Sequence, residues 1–154
     1  MRVEWIGGVE PSDTIETVIA KLDKMRVKYI SINNKRTIMY QGICGAHFGE
    51  FLVNASYPQN HRVSSVIFKV YSDSLDWLQA YFNTDLEKYT EKYGYPVTHD
   101  TNINTVTFDT PEMKFLMVAQ WQIDEDFFEI AVGWDKKNSK YRYSLIVSNK
   151  MKVI

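Results

Sequence analysis

The segment "AQWQIDEDFFEIAVGW", residues 119–134, sets three acids side by side, Asp124, Glu125 and Asp126. Clustered carboxylates can hold a cation or share a proton, provided that they converge and are taken out of water. Here they stand between two runs of β-formers, at a spacing that fits a hairpin connection. Calcium needs about six oxygen ligands from a shaped loop, and the D-x-[DN]-x-[DN]-G spacing is missing. The three acids are therefore expected to be solvated, to keep ordinary acidity and to discourage strand-to-strand association at the tip.

A second chemical pair lies in "CGAHFG", residues 44–49, where the only thiol, Cys44, precedes His47 by three positions. Such a pair can act as nucleophile and base, or supply half of a zinc site. His61 and His99 have no paired ligand spacing and no second cysteine exists, so neither a catalytic nor a metal residue is assigned. The expectation is a Gly-rich connection with an incidental thiol, and a thiol enzyme using Cys44 and His47 is the minor alternative. Gly7-Gly8 before a helix could bind phosphate at a helix N-terminus. Yet "GGVEPSD" matches neither nucleotide fingerprint, and Glu10 and Asp13 would repel the anion. No G-x-S-x-G, no H-E-x-x-H and no closely spaced carboxylate pair on a predicted helix face occurs, and no cofactor is implied.

Aromatic side chains are the remaining functional lead. The 154 residues include ten Tyr, eight Phe and four Trp. Trp77 and Tyr81 stand four apart on a predicted helix, while Tyr40, Tyr57, Trp121, Trp134, Tyr141 and Tyr143 lie on predicted strands. Tyr and Trp join apolar area to a polar handle, so an exposed group of them would favour protein or carbohydrate recognition. Core packing is the competing role for each.

The elements that must carry these residues follow from periodicity. Residues 12–26 form a first helix, with Ile15, Val18, Ile19, Leu22 and Met25 on one stripe and Asp13 and Glu16 in a capping-box pattern. Strands are expected at 27–32, 36–43, 48–57 and 62–71, separated by the turn chemistry of "NNK" and "PQNH". A long helix spans 72–94. Leu75, Leu78, Phe82, Leu86, Tyr89 and Tyr93 repeat along it; Ser72, Asp73 or Ser74 caps its start, and Gly94 and Pro96 stop it. Strands follow at 97–100, 104–109, 114–123, 127–134 and 140–148, with turns at 109–113 and 135–140.

This order describes an α+β chain, two helices on antiparallel β-meander sheet. It forms a single domain over 1–154, arranged as tandem helix-plus-four-strand repeats at about 12–71 and 72–148. A formal net charge of −1, with acids and bases interspersed, argues against a nucleic-acid surface. One cysteine forms no internal disulfide, no run approaches the ~20 apolar residues of a transmembrane helix, and "MRVEWIGGVEPSD" lacks a signal-peptide core. As written the chain reads as cytoplasmic; an exported protein whose signal had been removed would look the same.

In "WIGGVEPSDTIETVIAKL", residues 5–22, and "LEKYTEKYGYP", residues 86–96, the chain resembles small, often exported α+β domains abundant in gut-dwelling anaerobic bacteria. Those domains run from an aromatic-x-Gly opening through a capped helix and a meander to a long helix ending in "KYG-x-P" and a final meander. This opening departs from their usual "G-I-P" form. The tandem helix-plus-four-strand layout is also similar to the architecture of beta-lactamase inhibitor proteins. These resemblances imply a fold and no catalytic residue. The function expected is a non-enzymatic protein-binding or assembly module, engaging a partner or a second copy, with a virion or secretion-apparatus subunit as one form. Carbohydrate binding through surface Tyr and Trp is the alternative. All of this presumes that polar residues at the strand junctions only shape corners, and that no buried, mutually tuned reactive groups exist.

Overall fold

A computed structural model describes residues 3–32, 36–55, 62–99 and 113–149. The expected strand at 104–109, most of the turn at 109–113, Tyr57, His61 and the "NNK" and "PQNH" turns lie outside them.

The first helix, α1 (Ile15–Lys24), buries Ile15, Val18 and Leu22, the spacing of a single apolar stripe. Its N-cap is Thr14, whose hydroxyl accepts from the Thr17 N–H at 3.2 Å. Asp13 does not cap the helix as expected. Its carboxylate accepts from the Glu10 N–H at 3.0 Å and from the Lys21 ammonium at 2.7 Å, closing the entry turn instead. Arg26, with a φ of 58°, reverses the chain into β1 (Tyr29–Ile32).

Three longer strands follow: β2 (Thr37–Cys44), β3 (His47–Ala55) and β4 (Val63–Ser72). The second helix, α2 (Leu75–Tyr93), starts at Ser74, whose hydroxyl accepts from the Trp77 N–H. It ends at Gly94, whose φ of 87° suits a residue without Cβ. The Gly94 carbonyl accepts from the Trp121 indole N–H at 2.8 Å, tying the helix end to the sheet. The remaining strands are β5 (Thr98–His99), β6 (Met113–Ile123), β7 (Asp126–Asp135) and β8 (Lys140–Asn149).

All eight strands form one antiparallel sheet in the order β1-β2-β3-β4-β8-β7-β6-β5. Each meander thus keeps its sequential neighbours, and the last strands of the two meanders, β4 and β8, pair at the centre. Both helices pack on this sheet, α1 over β2 and α2 over β4, β6, β7 and β8. The register aligns Tyr40, Phe51, Phe68, Leu145, Ile130 and Ala119 in one row across six strands, all buried. Fully burying a side chain of the Leu or Phe class contributes roughly 1.5–3 kcal/mol, so this row anchors the fold. At Gly49 an added Cβ would collide with the Lys69 carbonyl oxygen and the Phe68 ring. Only glycine lets β3 approach β4 there.

The opposite face of the central strands is also out of water, and there Ile67, Val118, Ala131 and Ile146 are buried beside a set of polar side chains. Thr37 donates to Asn54 at 3.0 Å and Asn54 donates to Ser65 at 3.1 Å, a side-chain ladder across β2, β3 and β4. Gln120 donates to Glu129 at 2.7 Å, and Lys69, Arg142, Ser144 and Ser148 are buried on the same side. Both faces being covered explains why β7 and β8 read as continuous burial rather than alternation.

The acidic triplet behaves differently from its expectation. The β6–β7 turn takes only Asp124, at a φ of 54°, and Glu125. Asp126 already belongs to β7, pairs with Ile123 and is fully buried. A two-residue connection moves the third acid into the ladder, where pleating sets it on the side of Phe128.

Candidate functional site

Hairpin β2–β3 turns through Gly45 and Ala46 and places Cys44 opposite His47. Strand alternation then sorts its tip into two sets. Cys44 and His47 face the helices, while Ile43 and Phe48, paired one step along, face the other way.

Beneath α2 the inward set meets side chains from two other elements. Tyr81 and Asp85 stand one turn apart on α2, and Tyr143 rises from β8. The His47 ring stacks on Tyr81 with centroids 3.7 Å apart, and both rings meet Tyr143 edge-on at 5.9 and 6.0 Å. The Tyr143 hydroxyl donates a hydrogen bond to Asp85 Oδ2, and His47 Nε2 lies 3.4 Å from the same oxygen. His47, Asp85 and Tyr143 border a cavity of about 140 Å³, with Cys44 and Phe68 on its walls and Lys88 also lining it.

Burial governs the chemistry here. It raises the Cys44 thiol to about 11, the Asp85 charge adds to the rise, and Lys88 opposes it. Burial also carries the Tyr143 phenol well above its ordinary value, reinforced by the charge of Asp85 and the hydrogen bond to it. At neutral pH the thiol and the phenol both keep their protons. The cluster is suited to holding charge and hydrogen bonds in a dry place. Polar side chains at this strand junction are thus buried and influence one another, where they were expected only to shape a corner.

Asp85 was not among the residues the sequence singled out. Its signal was present: it stands three after Phe82, four before Tyr89 and seven after Leu78, on the apolar stripe itself. A carboxylate at such a position must find donors when the helix packs.

The aromatic candidates do not gather into one recognition surface. Tyr40, Trp121 and Tyr143 are core residues, so packing, the competing role, is the one these three candidates take. Tyr40 stacks on Phe51 and donates to the Gly7 carbonyl at 2.9 Å; Trp121 packs edge-on against Phe128. Trp134 and Tyr141 form a half-buried edge-on pair at 4.9 Å between β7 and β8. Tyr81 has one ring face covered by His47, which leaves Trp77, 48% exposed, as the open aromatic on α2.

Exposed apolar area lies elsewhere. Ile43 and Phe48 are 71% and 62% exposed on the face away from the helices. On the same face Ile30, 57% exposed, pairs with half-buried Met39, which pairs with Leu52. An open groove of about 590 Å³ runs over Lys28, Tyr29, Ile30, Met39 and Glu50. Among the described residues β1 is the last strand on this side of the sheet, and Lys24, Arg26 and Lys28 beside it are exposed.

Among the described residues no group of three His, Cys, Asp or Glu is placed to hold a metal ion. None of the described helices is long and apolar enough to cross a membrane. No protein-family model, curated protein or solved structure matches the chain.

Proposed function

We propose that the chain is a non-enzymatic protein-binding module that recruits an extended segment of a partner along β1. The observation that carries this reading is the conjunction of a terminal strand with solvent-facing Ile30 and Ile32 on it. A strand added at such an edge gains main-chain hydrogen bonds, and its alternate side chains find pockets. The groove over Ile30 and Met39 would receive the apolar side chains. Lys24, Arg26 and Lys28, set against the single acid Asp23 in that stretch, favour acidic residues flanking the segment. The shortness of β1, four residues, and the neighbouring lysines restrain indiscriminate strand pairing. The same reading treats 12–71 and 72–148 as structural repeats sharing one sheet, with the β4–β8 pairing as their junction.

The test is a selection of displayed peptides on the full chain, with the Ile30→Lys/Ile32→Lys double variant as counter-target. Alternating apolar segments flanked by Asp or Glu should emerge and should lose binding to the variant. Peptides that ignore the two substitutions, or a selection that enriches nothing, would overturn the reading. A wild-type chain that dimerises, and a variant that does not, would replace the partner with a second copy.

A further inference from the structure

Asp85 is 7% exposed, yet both of its donors approach the same oxygen, Oδ2. Among the described residues no hydrogen bond reaches Oδ1, while Asp85 lines the cavity between α2 and the β2–β3 hairpin. Oδ1 keeps its acceptor lone pairs open to this cavity, where an entering N–H donor can meet them. Around it stand the rings of His47, Tyr89 and Tyr143, with Phe68 and Leu145 completing an apolar floor. The negative charge of Asp85 among these side chains attracts a cation and repels an anion.

We propose that this cavity binds a small primary ammonium, whose N–H groups meet Asp85 Oδ1 and whose carbon skeleton lies against Phe68 and Leu145. Its volume, about 140 Å³, is close to that of an engineered cavity that admits benzene. A chain of four or five carbons is therefore accommodated, and a larger amine is refused. Lys88, one turn beyond Asp85, lines the same cavity, and its ammonium comes within 3.9 Å of a Cβ built on Gly45. It carries the same charge as the ligand and competes with it for Asp85. The exposed Gly45–Ala46 turn forms the side through which a ligand enters.

The experiment is a titration of the full chain, followed by amide NMR, with n-butylammonium chloride at constant ionic strength and neutral pH; 1-butanol serves as the neutral isostere. Saturable shifts at Gly45, Ala46 and Asp85 are expected with butylammonium and not with the alcohol. Asp85→Asn should abolish them, and Lys88→Ala should tighten binding about threefold. No saturable response up to about 50 mM amine, or an equal response to the alcohol, would overturn the proposal. Should Asp85→Asn fail to fold, Lys88→Ala still decides: affinity that is unchanged or weaker sinks the proposal.

Discussion

Tyr143, in a strand at the centre of the sheet, donates its hydroxyl to Asp85 on the helix above, joining residues 58 apart in sequence. Removing the hydroxyl alone leaves a buried carboxylate with its closest donor gone. Tyr143→Phe is expected to cost about 1.5–3 kcal/mol, the range for hydrogen bonds to charged groups. Urea denaturation measures it, and a double-mutant cycle with Asp85→Asn should return a coupling of about 1 kcal/mol or more. A loss below about 0.5 kcal/mol would mean that the pair is incidental.

Alkaline pH should unfold the chain through its buried phenols. Burial raises Tyr40 to about 12 and also raises Tyr89 and Tyr143. A folded-state value above the unfolded one, near 10, contributes stability that is complete below pH 10. That stability is lost as pH rises through the folded values. Tyrosinate absorbance should therefore appear in two stages, with these three phenols ionising only as the far-UV circular dichroism collapses. Ionisation of all ten tyrosines near pH 10 with the fold intact would contradict their burial.

Much of this architecture is legible in the sequence, and the reasons for the rest are physical. The stripe from Leu75 to Tyr93 and the alternation of Val66, Phe68 and Val70 are local signals, and both elements form as expected. Helix caps depend on competition: Asp13 was the better capping residue by type, but Lys21 and the Glu10 N–H claim it and leave the cap to Thr14. Asp126 turned on the length of one connection, since two turn residues rather than three bury it. The Asp85 cluster needed the packing of α2 over both β8 and the β2–β3 hairpin, which no local pattern encodes. Ile43 and Phe48 were legible as strand residues, but only the register shows that they face solvent while Cys44 and His47 face the helices.

Acid should weaken the β7–β8 connection only below the ordinary carboxylate range. Burial by itself would raise the Asp135 carboxyl. Hydrogen bonds from the Asn138 side chain and N–H, the Arg142 charge and the Lys137 N–H together hold it below its ordinary 3.8. A depressed carboxylate contributes stability that is present above the unfolded value and is lost as pH falls through the folded one. Three bonds, at 2.9, 3.2 and 2.9 Å, close this turn on Asp135. Asp135→Ala should cost about 1 kcal/mol, as loss of a cap does, and should flatten the stability curve below pH 4. An acid limb identical to wild type would show that other carboxylates set it.

Cys44 gives the sharpest test of the cluster, because its thiol reports the charges around it. A thiol raised from 9.0 to about 11 is thiolate about 100-fold less often at pH 8, and alkylation follows the thiolate. Iodoacetamide should therefore modify the folded chain about 100-fold more slowly than an exposed cysteine. Asp85 raises the thiol and Lys88 lowers it, so the two substitutions must act in opposite directions. Asp85→Asn should speed alkylation and Lys88→Ala should slow it, each by a few-fold. A general loosening of the fold would speed both variants, which separates an electrostatic effect from an opening of the cavity. Cys44→Ser should leave stability nearly unchanged, since the thiol has no role here beyond packing. Wild-type alkylation within a few-fold of an exposed cysteine would show that the hairpin does not seal against α2, and the buried Asp85 site would fall with it.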